Sequence, residues 1–407
     1  MSLQLLAVLT AAGGMGMLAL THNAAAEYFM FSTLVAAMVV TYATSRLSIR
    51  AVRLRRQVSS RVFENDPIEV RLEVTNRGRF PRFLLDVNDT LPEFVEAQGE
   101  HDFMVASLWP GERVGLSYAA RALKRGVYRW TPIQLSSSDP FGIFQRYVPL
   151  DAPGEAVVYP RPVELHGSVS RAGVEARGQS TGERARGAES GMEFYGVRDY
   201  WPGDELRRIH WPATAHHGKL TVIEFDRGAS ENVTVILDAA AGSEFGSGLD
   251  TTLETAVRAA ASLVHWALQS EGTANLAVAS PEGPLWASVD QPQREDEILE
   301  LLARVRAQAR MSAAELVSWA VDRLSPDDNI VIVTALPDER LVAAVSELVG
   351  RRMSVSVLAL EASSFDSGAP RGSEAVGALR SVGAVVVSAR RGQELREVLG
   401  DVLAGWS

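Results

Sequence analysis

Apolar and polar residues alternate in several short segments between residues 47 and 165. The segment from Ile68 to Val74 alternates apolar and charged side chains at a period of two, and Asn76-Arg77-Gly78 follows it as a turn. The same alternation recurs later, at Val114, Leu116 and Tyr118 and at Val127, Ile133 and Leu135. Short strands separated by glycine and proline turns predict an antiparallel β-sandwich-like (Ig-like) domain over residues 46–165.

Beyond Gly191 the pattern changes to apolar strands that alternate with amphipathic helices. Strands are predicted at Val233–Leu237, Asn275–Ala279, Asn329–Thr334, Val355–Leu360 and Ala384–Val387, and helices at Leu253–Leu268, Glu295–Ala307, Ala313–Leu324, Glu339–Leu348 and Gln393–Leu403. This alternation predicts an α/β domain at 191–407 with a doubly wound, mostly parallel sheet. Ligands of such sheets bind beyond the carboxyl ends of the strands, so the turns after Leu237 and Thr334 are the predicted binding region. Residues 166–190 contain few apolar residues and predict a flexible linker.

The first 45 residues predict a helical hairpin that crosses a membrane twice. Two runs without a charged side chain, Leu3–Leu20 and Tyr28–Thr44, contain 18 and 17 residues, which is close to the length of a membrane span. Arginines follow the second run, and no acidic residue lies between Thr44 and Phe63. By the positive-inside rule, the soluble domains are expected in the cytoplasm. A cleaved signal peptide ending near Ala26, two buried core helices, or an extracytoplasmic soluble part are the alternatives.

Composition narrows the range of functions. The formal net charge of −10 disfavours binding to nucleic acid, which needs a basic face. The chain contains no cysteine, which excludes disulfides, thiolate metal sites and a cysteine nucleophile.

The most distinctive stretch runs from Gly191 to Trp211. Pro202-Gly203 predicts a turn, after which Asp204 is expected to cap a short helix. Acidic, basic and aromatic side chains are concentrated in this stretch, and the candidate site residues are Glu193, Arg198, Tyr200, Asp204, Arg207, Arg208, His210 and Trp211. They predict either a clamp between the two soluble domains or a surface that binds a partner; catalysis by this stretch is a third interpretation.

This stretch and its continuation through Gly218-Lys219 to Phe225 resemble the hallmark of the domain of unknown function 58 (DUF58) family, as do Arg125–Tyr128, Asp139–Phe144 and Val157–Arg161. The resemblance covers nearly the whole chain, although His210 and Pro212 depart from the family pattern. It implies a membrane-anchored protein with a von Willebrand factor A-like domain. It also implies a partner, an AAA+ ATPase of the MoxR type, and a role in assembly or maturation of other proteins. The resulting hypothesis is a non-enzymatic scaffold or adaptor with no cofactor.

The resemblance also directs attention to Asp238. Von Willebrand A-like domains hold Mg²⁺ through an Asp-x-Ser-x-Ser turn, because a hard cation takes carboxylate and hydroxyl oxygens. Here the aspartate is present as Asp238, but Ala240 and Gly242 occupy the serine positions. We therefore expect no metal and a capping or hydrogen-bonding role for Asp238. A metal-dependent ligand-binding domain or hydrolase that uses Asp238 is the alternative.

Other motifs in the chain are incomplete. His210, His216 and His217 lie close together, but adjacent histidines rarely point at one ion, and the sequence offers no clear carboxylate partner. Gly218-Lys219 resembles the end of a phosphate-binding loop, but Leu220 replaces the Ser or Thr that such a loop requires. No catalytic residue is predicted.

Overall fold

The computed structural model describes residues 3–22, 25–138, 145–165, 193–199, 211, 214, 218–226 and 232–406. The chain divides into two compact units, Met1–Pro160 and Arg161–Ser407. The predicted linker at 166–190 lies outside the described residues.

The first unit begins with two helices, α1 (Leu3–His22) and α2 (Ala25–Ser48), that contact each other. A Cβ atom added at Gly16 would lie 3.0 Å from the ring of Phe31, so the small residue allows this close approach. Among the described residues, Ala25–Ala43 is long and apolar enough to cross a membrane, whereas the apolar segment of α1, Leu6–His22, is shorter. One helix therefore has the length and composition of a membrane span. The second span and the cytoplasmic orientation stay predictions.

A set of short strands follows α2. They are β1 (Val52–Val58), β2 (Arg61–Phe63), β3 (Pro67–Asn76), β4 (Arg82–Asn88), β5 (Val95–Gln98), β6 (Asp102–Leu108), β7 (Arg113–Ala122), β8 (Gly126–Arg129), β9 (Ile133–Ser138), β10 (Gln145–Leu150) and β11 (Glu155–Tyr159). Two antiparallel sheets have the orders β1-β3-β7-β5 and β10-β9-β4-β6, and a smaller sheet has the order β2-β11-β8.

The two four-stranded sheets share one hydrophobic core. Alternate residues of β3 are buried, from Ile68 to Val74, as the period-two pattern predicts. Leu85 of β4 and Leu135 of β9 enter the same core from the other sheet. Pairing of two inward faces in this way builds a sandwich.

A buried ion pair crosses this core. Arg56 of β1 binds Asp89, which follows β4, through two nitrogens, and both side chains are fully buried. The Tyr118 hydroxyl of β7 donates a third bond to Asp89, at 2.8 Å. Burial and the neighbouring carboxylate raise the pKa of Tyr118, which therefore stays protonated. Separating the two sheets would break this pair and leave an uncompensated buried charge, so the network stabilises their packing.

The second unit contains the larger sheet. Its strands are β12 (Glu193–Asp199), β13 (Thr221–Asp226), β14 (Val233–Leu237), β15 (Gly246–Ser247), β16 (Asp250–Thr251), β17 (Ala274–Ser280), β18 (Gly283–Val289), β19 (Asn329–Thr334), β20 (Ser354–Leu360) and β21 (Val385–Ala389). Its helices are α3 (Thr252–Gln269), α4 (Glu295–Arg304), α5 (Ala313–Ala320), α6 (Glu339–Gly350), α7 (Ala362–Phe365), α8 (Ser373–Ser381) and α9 (Leu395–Ala404). Strands β12 and β13 pair with each other, and β15 pairs with β16.

The main sheet has the order β18-β17-β14-β19-β20-β21 and is parallel except for β18 at one edge. Helices α3 and α9 contact the sheet and each other. Helices α5, α6 and α8 also contact the sheet, and α6 contacts both α5 and α8. All five residues of β14 are buried, which explains its continuous apolar sequence. The mixed α/β architecture with a parallel sheet is confirmed.

The predicted strands and helices of this sheet are confirmed, with shifts of a few residues at some ends. Helix α4 stops at Arg304, three residues before its predicted end, because Val305 is extended. Strand β18 and helix α8 were not among the predicted elements.

Candidate functional site

The strand order of the main sheet reverses between β14 and β19. These two strands pair from Val233 with Asn329 to Leu237 with Val333, so their carboxyl ends lie side by side. In doubly wound sheets the crevice beyond the carboxyl ends at such a reversal is the usual ligand position. The structure therefore brings together the two turns that the sequence indicates, after Leu237 and after Thr334.

Asp238 occupies this position and is 7% exposed. One carboxylate oxygen, Oδ2, accepts a hydrogen bond of 2.7 Å from the Thr334 hydroxyl. The other, Oδ1, accepts a bond of 3.0 Å from the backbone N–H of Ala240. The Thr334 oxygen in turn accepts a bond from the N–H of Leu336. Asp238 thus ties together the loops that leave the two central strands.

The loop after Asp238 is held by backbone contacts. Ala240 forms a β-bridge with Ala309, and the N–H of Ala241 donates to the Ala309 carbonyl at 2.8 Å. The Ser243 hydroxyl donates to the Ala240 carbonyl at 2.9 Å, so it is engaged inside its own loop. Among the described residues there is no group of three or more His, Asp or Glu side chains that could hold a metal ion.

Burial raises the pKa of Asp238 above its ordinary value. The bonds from Thr334 and Ala240 act in the opposite direction, and the charge of Asp338 adds to the increase. Asp338 itself caps α6 by accepting a bond of 2.8 Å from the Leu341 N–H. Asp238 and Asp338 therefore both have structural hydrogen bonds.

A groove of about 620 Å³ opens beside this position, beyond the carboxyl ends of β19, β20 and β21. It is lined by residues of three strand ends, of α7, of the loop before α8 and of α8 itself, namely Ala335, Pro337, Ala359, Leu360, Glu361, Ala362, Ser363, Pro370, Arg371, Gly372, Val376, Arg380 and Ser388. Gly372 packs closely against Pro337, because a Cβ there would lie 3.2 Å from the proline ring.

The charged side chains that line the groove carry a net positive charge. Glu361 is paired with Arg390, whose Nε donates to the carboxylate at 2.9 Å. Arg371 and Arg380 are exposed, and neither forms a salt bridge with another residue in the described part of the chain. Within the described residues, the Arg380 guanidinium donates to the Val386 carbonyl, at 3.3 Å. Small apolar walls with two available guanidinium groups suit a carboxylate-bearing ligand.

The structure describes only part of the motif between Gly191 and Trp211. Glu193 and Arg198 lie on β12, where their backbones pair with Asp226 and Val222 of β13. Trp211 is 66% exposed. The remaining candidates, Tyr200, Asp204, Arg207, Arg208 and His210, lie outside the described residues, as do His216 and His217. The interdomain clamp, the partner surface and the catalytic interpretation of this motif stay predictions.

The groove was not predicted from the sequence. Its strongest signal is Pro370-Arg371-Gly372, a proline and glycine pair around an arginine directly before a helix. The contact between His265 of α3 and Glu295 of α4, whose side chains lie 3.0 Å apart, was not predicted either. The bond to Glu295 raises the pKa of His265.

Comparison with known proteins supports the resemblance that the motif indicates. Residues 196–329 match the model of a family described as "Protein of unknown function DUF58". The uncharacterized protein YeaD of Bacillus subtilis strain 168 is 23% identical over 345 residues, which cover 82% of this chain and 82% of YeaD.

Solved structures with detectable likeness match smaller parts of the chain. The CARDB domain of PF1109 from Pyrococcus furiosus is 20% identical, with a TM-score of 0.20, and covers 26% of this chain and 91% of that domain. The α-2-macroglobulin of Escherichia coli is 16% identical, with a TM-score of 0.21, and covers 38% of this chain and 9% of that protein. Likeness at this level carries no argument about function.

Proposed function

We propose that the protein is a non-enzymatic, membrane-anchored scaffold whose α/β unit binds a protein partner. The groove beyond β19, β20 and β21 is the observation that carries this proposal. It lies next to the reversal of strand order, where doubly wound sheets bind their ligands, and it offers Arg371 and Arg380 to an acidic segment of a partner.

The resemblance to the DUF58 family supplies the proposed identity of that partner, an AAA+ ATPase of the MoxR type. In this proposal the α/β unit has the von Willebrand A-like arrangement. Its strand order, with the antiparallel strand β18 at the edge, supports that arrangement. The scaffold would hold the ATPase at the membrane during assembly or maturation of another protein.

The proposed anchor is a hairpin of α1 and α2, with both soluble parts in the cytoplasm. The apolar segment Ala25–Ala43 and the exposed arginines that follow α2, Arg50, Arg53 and Arg55, support this orientation. A reporter active only in the cytoplasm, fused after Ser407, tests it. Activity of a reporter that works only outside the cytoplasm would reverse the proposed orientation.

The alternative from the sequence, a metal-dependent ligand binder or hydrolase at Asp238, has less support. Each oxygen of Asp238 already accepts a hydrogen bond from the protein, and Ser243 donates within its own loop. Ala240 and Gly242 supply no side-chain oxygen beside Asp238, so a cation would find few further ligands there. The proposed partner binding therefore does not depend on a metal at Asp238.

Crosslinking in intact source cells, followed by affinity purification and mass spectrometry, tests the partner. We expect an AAA+ ATPase with the wild type and its loss in a variant that combines Arg371→Glu and Arg380→Glu. The matched control combines Arg351→Glu and Arg352→Glu, two exposed arginines at the amino end of β20 and so at the opposite edge of the sheet. Retention of the ATPase by the groove variant would remove the groove from the proposal.

A further inference from the structure

The sandwich carries a cluster of exposed aromatic side chains at one end. Phe80 is 64% exposed, Trp109 is 58% exposed and Phe83 is 48% exposed. We call these three residues the aromatic edge. Large aromatic side chains normally stay in a core, so an exposed group of them marks a surface that contacts something else.

A single buried asparagine, Asn76, fixes the two loops of the aromatic edge. Its side-chain amide donates to the carbonyls of Phe80 and Leu108, each at 2.9 Å. Its backbone carbonyl accepts a bond of 2.8 Å from the N–H of Gly111. Phe80 and Trp109 are therefore presented on two rigidly joined loops.

These loops lie where the chain leaves α2. The N–H of Arg77 donates to the carbonyl of Ala51 at 2.9 Å, and Ala51 is three residues beyond the end of α2 at Ser48. Helix α2 also contacts strands β4, β9 and β10 of the sandwich. The aromatic edge and the end of α2 therefore belong to the same end of the unit.

The depth of this end follows from helix geometry. The apolar segment of α2 stops at Ala43, and the five further residues to Ser48 add about 8 Å at a rise of about 1.5 Å per residue. The headgroup layer of a bilayer extends roughly 5–7 Å beyond its hydrocarbon core. If α2 spans the membrane, its end at Ser48 lies close to the outer boundary of the headgroup layer, and the aromatic edge lies beside that boundary.

The charges beside the aromatic edge fit an anionic surface. Arg50, Arg77 and Arg79 are exposed around it. The one acidic group of these loops, Glu112, accepts a bond of 2.6 Å from the N–H of Trp109 and so serves its own turn. Aromatic rings with neighbouring arginines are the composition that membrane–water interfaces favour.

We propose that the aromatic edge inserts into the headgroup layer of an anionic bilayer and holds the sandwich against the membrane. This inference rests on the proposed membrane anchor. It adds a second, peripheral contact that fixes the orientation of the first unit relative to the bilayer.

Because the chain has no cysteine, single cysteines can be introduced for spin labelling of the full chain. Four variants are needed: Phe80→Cys and Trp109→Cys at the edge, Val35→Cys within α2, and Glu93→Cys as a control. Glu93 is exposed and lies near the other end of the sandwich, about 30 Å away along the strands at roughly 3.4 Å per residue. Each is reconstituted in vesicles of phosphatidylethanolamine and phosphatidylglycerol, after circular dichroism has shown wild-type folding.

The measurement compares the accessibility of each label to oxygen, which partitions into lipid, with its accessibility to a water-soluble nickel complex. We expect the oxygen-to-nickel ratio at 80 and 109 to shift from the aqueous value at 93 towards the lipid value at 35. Ratios at 80 and 109 equal to the ratio at 93, with a lipid value at 35, would overturn the aromatic edge and leave the anchor intact. An aqueous value at 35 would overturn both.

A second copy of the chain is the competing occupant of the aromatic edge. Contact with it would give dipolar broadening of the labels at 80 and 109 that disappears on dilution with unlabelled protein. That result would overturn the lipid proposal.

Discussion

Replacing Asp238 by asparagine separates a structural carboxylate from one that acts on a ligand. Asparagine keeps an oxygen that accepts the N–H bond of Ala240, and its amide can donate to the Thr334 oxygen at the same position. We therefore expect the free energy of unfolding of Asp238→Asn to lie within about 1 kcal/mol of the wild type at pH 7.

Two comparison variants remove the same bonds without replacement. Asp238→Ala leaves the Ala240 N–H and the Thr334 hydroxyl without their acceptor, at a cost of roughly 1–3 kcal/mol. Thr334→Val removes a bond to a charged group, worth about 1.5–3 kcal/mol. For a unit of this size, 1 kcal/mol corresponds to about 2–4 °C, so Thr334→Val should lower the Tm by roughly 3–12 °C. Thermal unfolding of the full chain in detergent, followed by tryptophan fluorescence, gives these values.

The pH dependence supplies an internal check. Because burial raises the pKa of folded Asp238, the unfolded chain releases this proton at a lower pH than the folded chain does. The stability associated with the raised pKa is present below about pH 4 and is lost as the pH rises through the folded pKa. Asparagine has no titrating proton, so the free energy of unfolding of Asp238→Asn should increase relative to that of the wild type as the pH rises from about 4 to 7.

Destabilisation of Asp238→Asn as large as that of Asp238→Ala at pH 7 would refute a purely structural role for the Asp238 carboxylate. That result would mean that the negative charge itself stabilises the fold, as a bound cation would require. Addition of Mg²⁺ should leave the Tm of the wild type unchanged; an increase that Asp238→Asn abolishes would favour the metal-dependent alternative.

Three further predictions concern other parts of the chain. Asp89→Ala leaves the buried Arg56 without its carboxylate partner and should lower the free energy of unfolding, measured by chemical denaturation, by about 3–5 kcal/mol. A decrease of less than about 1 kcal/mol would contradict a tightly coupled pair. Glu295 raises the pKa of His265, so their contact contributes stability that is fully present below about pH 6.5 and is lost as the pH rises through the raised pKa. His265→Gln removes this contribution, so the Tm values of variant and wild type, measured between pH 5 and 8, should converge towards high pH. A Tm difference that does not change with pH would contradict this role of His265. Gly372→Val would place a side chain against Pro337 in the groove wall and should weaken capture of the partner, while the Tm stays close to that of the wild type. Undiminished capture would show that the partner does not contact this part of the groove.

Much of the fold could be predicted from local patterns. The buried strands of the main sheet are continuous apolar runs, and the helices show one apolar face, so β14, β19 and α3 follow from the sequence. Strand β18 was harder to detect because it lies at the sheet edge, where its residues are mostly half-buried and no clear alternation remains. Helix α8 was missed because glycine, serine and proline dominate the segment before it.

The site was only partly predictable because its contacts are long-range. The position of Asp238 follows from the strand pattern, but its hydrogen bond to Thr334 joins residues 96 apart. The turn at Asn76 could be predicted, and Gly78 indeed donates to its side chain. The role of Asn76 in joining two loops could not, because Leu108 lies 32 residues away. Such contacts depend on strand register, which local patterns do not determine.

The most direct test of the scaffold proposal measures the affinity of the captured ATPase for the full chain in lipid nanodiscs. We expect Asp238→Asn to bind the ATPase with wild-type affinity, because the carboxylate of Asp238 has a structural role. The combined Arg371→Glu and Arg380→Glu variant should bind at least about tenfold more weakly, a difference of about 1.4 kcal/mol. The opposite pattern, with binding lost in Asp238→Asn and kept in the groove variant, would contradict a metal-independent scaffold that uses the groove.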